Sequence, residues 1–332
     1  NNYSTPEYGT VNPTIFVMIA YLVMFGLMFG DVGQGFVLFV VGFLTQLSYR
    51  KNPLKKDGML SRNLSKLLPY LGVSSMVFGV LYGSYFGFAL FPALWFNLDA
   101  VVAGNATTGP VRDVYGILGI TIKFGIIVIY TGLVLNWINL FRKKAWLKMT
   151  LDKNGIVGGI LFATGLYMGF GFVGSNYKEF PSDPWIPIVL GVTILLLFLR
   201  GFLDYYLSVK EGGQRESAGK VIMDSTMEWL VDMLEIFGGY LSNTLSFMRV
   251  AGLGIAHAAL MESFKSLSSL STGFGAIAIL VFGNLLVIVL EGLSSGIQSL
   301  RLNYYEFFSR YFTGKGVAYE PVGLKTSFSA QK

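Results

Sequence analysis

Cysteine is absent from the 332 residues of this chain, and histidine occurs once, at His257. Without cysteine there is no disulfide and no thiolate ligand for a metal. With a single histidine, a metal site built from several imidazoles cannot form within the chain. We therefore predict neither a metal site nor a cofactor.

Charged residues are also scarce, at 13% of the chain, whereas hydrophobic residues make up 53%. Soluble domains average about 25% charged residues, so most of this chain must face lipid or other apolar protein. Its 41 glycines fit the close packing of helices in a membrane. The net charge of +6 does not indicate a nucleic-acid partner, because the basic residues lie in short loops between apolar segments.

Eight apolar segments are long enough to cross a bilayer as helices. They cover roughly 13–31, 34–50, 67–91, 114–141, 155–175, 185–207, 229–264 and 273–309. Open sheets cannot exist in lipid, so we predict an all-α integral membrane protein with eight transmembrane helices, forming one membrane domain over 1–332. The last two segments are longer than the roughly 30 Å hydrocarbon core requires and are expected to tilt strongly.

The basic residues alternate between the two sides of the predicted membrane. They cluster at 50–66, 142–153, 200–220 and 310–332, whereas the intervening loops contain only Arg112, Lys178 and Lys265. Basic loops stay in the cytoplasm, so both termini are expected there, most simply in a prokaryotic plasma membrane. The chain begins at Asn1 without a signal-peptide pattern, and we expect it to be the membrane half of a longer polypeptide.

Arg249 lies near the middle of the apolar stretch at 242–257. A guanidinium keeps its proton, because its pKa is above about 12, and burying it in hydrocarbon costs at least about 2.5 kcal/mol. An arginine at this depth is expected to face protein or water and to have a function.

Polar residues repeat every seven positions in the last two segments. Seven residues make nearly two helical turns, so such residues form a stripe that drifts by about 20° per step. The seventh segment carries Glu235, Ser242 and Arg249, with His257 two turns further on. The eighth carries one stripe of Asn284, Glu291, Gln298 and Tyr305 and a second of Ser294 and Arg301.

A structural interpretation competes with a functional one at these positions. Any single pair of glutamate and arginine could merely hold helices together. Two arginines, two glutamates and the single histidine on adjacent segments form a more complete polar track than random pairing gives, which favours function. Asp31, between the first two segments, could equally be a plain turn aspartate, and Lys123 is expected to extend its amine to the interface.

The motifs match a known family. The sequence SNTLSFMR at 242–249, followed by His257, resembles the arginine-bearing helix of the large membrane stator subunit of rotary V-type and A-type ATPases, called subunit a, or subunit I in prokaryotes. LEGLSSGIQSLRLNYYEFFS at 290–309 looks like the final helix of that family, and MFGDVGQG at 28–35 looks like its first turn. Gln34 stands where many members have histidine, and Gly239 where some have a polar side chain.

The resemblance implies a mechanism for ion translocation. Arg249, helped by Arg301, would keep the membrane carboxylates of a rotating ring of small subunits ionised as they pass, and two offset half-channels would supply the ions. Glu235 would lie toward the cytoplasm, and His257, Asp31 and Glu291 toward the outside, with Ser242 and Gln298 along the same polar lines. The two long helices would pack together with both arginines facing the ring.

The same resemblance implies that ATP chemistry occurs on other chains, so this chain would be a non-catalytic subunit without a nucleotide site. Its partners would be the ring, the lipid bilayer and, through a cytoplasmic N-terminal domain absent here, the peripheral and central stalks. The choice between H⁺ and Na⁺, and between pumping and ATP synthesis, stays open. A secondary transporter is the competing interpretation, but it predicts an internal repeat that 1–160 and 161–332 do not show. A passive scaffold would leave both arginines without a role.

Overall fold

A computed structural model describes residues 7, 9–51, 62–89, 91–105, 110–174, 179, 181, 183–210, 218–311 and 316. Within these residues the chain is all-α, with one isolated β-bridge between Tyr85 and Phe88. The helices are α1 (Thr14–Met28), α2 (Val32–Lys51), α3 (Arg62–Tyr82), α4 (Leu98–Val102), α5 (Val114–Arg142), α6 (Trp146–Leu151), α7 (Ile156–Gly174), α8 (Trp185–Lys210), α9 (Ala218–Leu234), α10 (Tyr240–Ser246), α11 (Met248–Ser269), α12 (Phe274–Leu302) and α13 (Phe308–Tyr311).

Seven helical stretches of the described chain are long and apolar enough to cross a membrane. They match seven of the eight predicted segments, which confirms an all-α multi-pass membrane protein. The first predicted segment, 13–31, contains the 15-residue apolar helix α1. At 1.5 Å per residue, α1 is about 22 Å long, shorter than the hydrocarbon core, so the count of eight is not confirmed.

The third predicted segment, 67–91, was placed too far along the chain. Helix α3 begins at Arg62 and ends at Tyr82, and residues beyond it form a turn in which Gly83, Phe86 and Gly87 have positive φ. Positive φ cannot continue a right-handed helix. The apolar residues after Tyr82 therefore extended the predicted segment beyond the real end of the helix.

The seventh and eighth predicted segments, 229–264 and 273–309, are each interrupted. A π-helical turn covers Glu235–Gly239 between α9 and α10, and we call it the first π turn. The second π turn covers Asn303–Phe307 between α12 and α13. A π turn holds one extra residue in the helix and is frequent at functional sites. The two polar stripes therefore do not lie on uniform α-helices, as the sevenfold spacing assumes.

Helices α1, α5, α11 and α12 surround the polar residues of interest. Gly125 of α5 lies against the fully buried ring of Phe247, and a Cβ there would come within 2.3 Å of that ring. Gly254 of α11 lies against α1, where a Cβ would meet the Leu27 carbonyl at 3.0 Å. These small residues let the helices approach closely, and they fix α11 between α1 and α5.

The outer surfaces of the last helices are apolar and exposed. Along α12 the exposed side chains include Val281, Leu285, Val289, Leu293 and Ile297. An exposed apolar face of this extent indicates lipid or a partner protein as its neighbour.

Candidate functional site

Helices α11 and α12 contact each other through two polar pairs. His257 Nδ1 lies 2.6 Å from Glu291 Oε2, and Arg249 Nη1 donates a hydrogen bond to Gln298 Oε1 over 3.1 Å. All four side chains were predicted from the sequence as site residues. The polar residues predicted on the two helices thus meet in two direct contacts.

The imidazole of His257 is almost fully buried, with 3% of the residue exposed. Its ring lies 5.0 Å from the ring of Phe29 at the end of α1. Nδ1 is engaged by Glu291, whereas Nε2 has no hydrogen-bond partner among the described residues. A buried polar nitrogen in this state has capacity for a water or a proton.

Arg301 is exposed on α12. Its guanidinium lies 5.9 Å from the centre of the Tyr305 ring, a cation–π distance. Within the described residues, neither Arg301 nor Arg249 has a carboxylate oxygen within the 4.0 Å of an ion pair. Glu306 of the second π turn acts electrostatically on both guanidinium groups without reaching that distance.

Asn284 continues the stripe of Glu291 by two further turns. Its Oδ1 accepts a hydrogen bond from Gln34 Nε2 over 2.9 Å, and its amide donates to the Leu280 carbonyl over 2.9 Å. Gln34 is fully buried and also lies 3.1 Å from the sulfur of Met261. Gln34 therefore contacts the polar stripe of α12.

Asp31 is completely buried and accepts four hydrogen bonds from neighbouring groups. The donors are the backbone N–H groups of Gln34, Phe86 and Gly87, at 2.9–3.0 Å, and the Ser84 hydroxyl at 2.8 Å. Such a shell satisfies both oxygens of the buried carboxyl group. It also joins the start of α2 to the turn after α3, so Asp31 has a clear structural contribution whatever its part in ion transfer.

Asp99 lies on the short helix α4, which packs against α11. Partial burial raises the pKa of Asp99 to about 6, although the charges of His257 and Lys265 act in the opposite direction. This carboxylate is outside the membrane-spanning helices and was not recognised in the sequence. We call Asp99, His257, Glu291, Gln34 and Asn284 the outer cluster, after the predicted orientation.

A second group of charges surrounds Glu235 at the start of the first π turn. Lys153 Nζ lies 2.5 Å from Glu235 Oε2 and 3.9 Å from Asp232 Oδ1. Arg200 on α8 pairs with Asp232 at 2.8 Å. We call Glu235, Asp232, Lys153, Arg200, Asp152 and Glu228 the inner cluster; Arg200 also lies 2.9 Å from Asp152 and 3.6 Å from Glu228.

Four carboxylates and two cations give the inner cluster a formal charge of −2, from +2 and −4. Much of it is open, since the Glu235 side chain is 52% exposed. An acidic, open surface raises the local concentration of cations. Ser242, two turns from Glu235, is also exposed, and no described contact joins its side chain to Arg249.

Two buried charges at the end of α12 escaped the sequence interpretation. Glu306 in the second π turn is 5% exposed, and its Oε2 has no hydrogen-bond partner among the described residues. Arg310 is 6% exposed and stacks on Tyr240, with 3.9 Å between its guanidinium carbon and the ring centre. Glu306 lies inside the apolar segment 273–309, so the rule that identified Arg301 could also have found it.

A protein-family model matches both parts of the chain that contain the predicted site residues. The model of the V-type ATPase 116 kDa subunit family matches residues 1–119 and 206–324, which include α1–α4 and the whole of α9–α13. The chain belongs to this family. The V-type ATPase family match covers Asp31, Asp99 and every predicted site residue of the last two helices.

Relatives of this V-type ATPase family member are named as subunits of ATP synthases. The A-type ATP synthase subunit I of Aeropyrum pernix is 29% identical over 97% of this chain and 49% of its own length. That of Archaeoglobus fulgidus is 26% identical over 97% of this chain and 50% of its own. The V-type ATP synthase subunit I 2 of Treponema pallidum is 26% identical over 63% and 46%. The chain thus spans about half the length of these relatives.

Proposed function

We propose that this chain is the ion-translocating stator subunit of a V/A-type rotary ATPase. Arg249, helped by Arg301, interacts with the membrane carboxylates of a ring of small subunits. The outer and inner clusters belong to two half-channels that deliver H⁺ or Na⁺ to the ring and remove it. ATP hydrolysis or synthesis takes place on other subunits.

The observation that carries this proposal is that neither arginine forms an ion pair within the described residues, although Glu306 acts on both from a greater distance. Arg249 is half-buried in an apolar helix, and its described hydrogen bond goes to the neutral amide of Gln298. A charge at this depth that served only structure would be expected to have a carboxylate partner. Within the described residues no carboxylate reaches ion-pair distance of either arginine, so a carboxylate of another subunit fits the requirement.

The chemistry follows from Coulomb attraction. A cation within about 4–6 Å of a carboxylate lowers its pKa by about 1–3 units. A ring carboxylate that reaches Arg249 would therefore release its ion, and free cations would be repelled from the same place. Since the inner cluster and the outer cluster lie on opposite sides of Arg249 along the helices, an ion would cross only by travelling with the ring.

Glu235, Ser242 and the rest of the inner cluster form the cytoplasmic half-channel in this proposal. His257, Glu291 and Gln34 form the outer one, and Asp31 holds the frame on which it is built. Both termini lie on the cytoplasmic side of a prokaryotic plasma membrane. The central and peripheral stalks contact a cytoplasmic domain of the full-length subunit.

Replacement of Arg249 tests the function directly. In the assembled complex in vesicles, Arg249→Ala should abolish coupled ion transport, to below about 1% of wild type, because the ring carboxylate would no longer lose its ion. Arg249→Lys should rescue poorly, since an ammonium lacks the planar fork of a guanidinium. The measurement is ATP-driven ion uptake, with complex assembly quantified in parallel.

Lys123→Ala provides the matched control, because it removes another cation from a predicted span without touching the two arginines. Transport should stay within about twofold of wild type, as is usual for a cation at the edge of a membrane. Ion pumping near wild-type level in Arg249→Ala vesicles would overturn the proposed function.

Gly252 gives a test of the ring as partner. It lies three residues after Arg249, and a Cβ at Gly252 would meet nothing within 4 Å of this chain. Because the chain has no cysteine, Gly252→Cys introduces a single thiol. We expect it to crosslink to a cysteine placed beside the ring carboxylate.

Gly165 on α7 is the control position, since a Cβ there also meets nothing within 4 Å. Gly165→Cys should be equally reactive toward a small thiol reagent yet fail to crosslink to the ring. Equal crosslinking from both positions, or none from Gly252→Cys, would remove the ring from this face of α11.

A further inference from the structure

Arg310 of α13 is a buried cation that points into the protein. Only 6% of the residue is exposed, and its guanidinium carbon lies 3.9 Å from the centre of the Tyr240 ring. Arg301, nine residues earlier, is exposed and lies 5.9 Å from the centre of the Tyr305 ring. A charge buried as deeply as that of Arg310 needs contacts that replace its water, so its neighbours indicate its role.

The stack of Arg310 on Tyr240 connects the two π turns. Tyr240 directly follows the first π turn, and Arg310 lies three residues beyond the second. Asn243 adds another connection. With its amide oriented to satisfy both polar atoms, its nitrogen donates to the Gly239 carbonyl over 3.3 Å, and its oxygen accepts a hydrogen bond from Arg310 Nη2. Since Gly239 is the last residue of the first π turn, Arg310 reaches that turn by two routes.

A third contact attaches Arg310 to the region around α5. Its Nη1 donates to Asn154 Oδ1 over 3.4 Å. The backbone carbonyl of Asn154 in turn accepts hydrogen bonds from the side chains of Asn136 and Trp137 on α5, over 3.0 and 3.1 Å. One turn earlier on α5, Gly132 makes room for this approach, because a Cβ there would lie 3.3 Å from the Cβ of Arg310.

We propose that Arg310 is a positioning residue for Arg249 and Arg301. Its contacts fix α10 and α13 to each other and to α5. Arg249 lies nine residues after Tyr240, and Arg301 lies nine residues before Arg310, so a short run of helix joins each of them to these contacts. The inference rests on the proposed function and adds the residue that holds the two ring-facing arginines in place. We call Arg310 and its three neutral partners, Tyr240, Asn243 and Asn154, the Arg310 clamp.

An arginine that meets a passing carboxylate must be held by contacts other than that carboxylate. The pair of His257 and Glu291 joins α11 to α12 about two turns to the outer side of Arg249. The Arg310 clamp joins α10 to α13 about two and a half turns to its inner side. A helix fixed on both sides of Arg249 keeps the guanidinium in position for the ring. Support of this kind gives a functional site the precision that it requires.

The clamp depends on the shape of arginine more than on its charge. Its three described partners are an aromatic face and two amide oxygens, all of them uncharged. A planar guanidinium can stack on a ring while two of its nitrogens donate in its plane. The ammonium of lysine has no such plane. Glu235 and Glu306 also act on Arg310 electrostatically, so a role that needed charge alone would tolerate lysine.

The test uses the assembled complex with Gly252→Cys and a cysteine beside the ring carboxylate, so that the crosslinking yield reports the position of the Arg249 face of α11. Arg310→Met should lower that yield at least fivefold and ATP-driven ion transport about tenfold, since small misplacements of a reacting group are costly. Reactivity of Gly252→Cys toward a small thiol reagent should stay unchanged. Arg310→Lys should resemble Arg310→Met within about twofold.

Variants of Tyr240 provide the comparison. Tyr240→Phe keeps the aromatic face and loses only the bond from its hydroxyl to the Lys153 carbonyl, so both measurements should stay within about twofold of wild type. Tyr240→Leu removes the face and should resemble Arg310→Met. Combining those two changes should add little to either, because they remove the same contact. Arg142→Met is the control, since it removes an exposed cation at the end of α5 and should change neither measurement.

If Arg310→Met does not assemble, Asn243→Ala will decide. Asn243 is only partly buried, and its loss removes one route from Arg310 to the first π turn. The crosslinking yield should then fall about threefold in a complex that still forms.

Three outcomes would overturn the clamp: wild-type crosslinking in Arg310→Met or in Asn243→Ala, full rescue by Arg310→Lys, and equal effects of Tyr240→Phe and Tyr240→Leu. The proposed function fails separately, because it requires crosslinking of Gly252→Cys to the ring while Arg310 is intact. Loss of transport in Arg249→Ala with normal crosslinking in every clamp variant would reject the clamp and keep the stator.

Discussion

The outer and inner clusters both place charged or polar side chains at the predicted membrane, but they differ in how deeply those side chains are buried. In the outer cluster the groups are buried and few, and His257 and Glu291 contact each other at 2.6 Å with 3% and 13% of their side chains exposed. In the inner cluster six charged groups form one network whose side chains range from 11% exposed at Asp232 to 52% exposed at Glu235. The buried outer groups find their hydrogen-bond partners in one another, whereas the exposed inner groups can also form hydrogen bonds with water.

This difference in burial predicts in which cluster a single substitution should have the larger effect. Removing one member of a buried polar pair leaves the other unsatisfied, which costs about 1–3 kcal/mol. Removing one member of an exposed network changes little, because water and the remaining charges replace it. Burial, more than the number of charges, should therefore decide the sensitivity of each side.

The largest expected effect comes from a matched pair of glutamate substitutions. Glu291→Gln should lower proton transport by roughly 100-fold, since a directly acting acid–base group contributes about that much and no described carboxylate replaces it beside His257. Glu235→Gln should lower transport by less than about threefold, because Glu235 is half exposed to water and Asp232 remains 3.9 Å from Lys153, so the lost ion pair is a weak one. Proton flux in vesicles measures both.

Assembly of each variant must first be shown to match wild type, since glutamine is isosteric with glutamate and should pack equally well. If Glu235→Gln were the more damaging of the two, the comparison between a dry outer side and a hydrated inner side would be wrong.

A smaller effect is expected from Lys153. A double-mutant cycle with Lys153→Gln and Glu235→Gln should give a coupling free energy below about 1 kcal/mol, as for other exposed ion pairs. The coupling should weaken further between about 0.05 M and 0.5 M salt, because the Debye length falls severalfold. Thermal unfolding of the complex provides the free energies.

Arg200→Gln serves as the reference for this cycle. Arg200 is less exposed than Lys153, at 16% against 31% of the side chain, and pairs with Asp232 at 2.8 Å. Its loss should therefore destabilise the complex more than loss of Lys153 does. Equal, salt-independent effects at both positions would mean that the inner cluster is closed to solvent.

Much of the fold was predictable because membrane helices are specified by local composition. Apolar length located α2, α5, α7 and α8 to within a few residues, and polar residues inside apolar segments identified His257, Glu291, Arg249 and Gln298, which the structure pairs across α11 and α12. Polar side chains at membrane depth must face protein or water, so polar residues on two packed helices meet each other.

The remainder depends on contacts between residues far apart in the chain. The end of α3 is set by the turn that Asp31 caps from 53 or more positions away, while hydropathy continues past it. Lys153 was used only as an indicator of loop orientation, yet it contacts Glu235 across 82 positions. Asp99 lies in an apolar outer loop with no periodic pattern, so the packing of its helix α4 against α11 was not predictable.

The two π turns determine the rotational phase of the arginines. Each adds one residue to its helix, Glu235–Gly239 before Arg249 and Asn303–Phe307 after Arg301. Since an α-helical residue advances the chain by about 100°, loss of one residue from either turn would swing one half of the helix by over a quarter of a circle relative to the other. Loss of a residue from the first π turn would rotate Arg249 relative to Asp232 of α9, and loss from the second would rotate Arg301 relative to Arg310, which stacks on Tyr240. The number of residues in each π turn therefore sets the direction in which each arginine points.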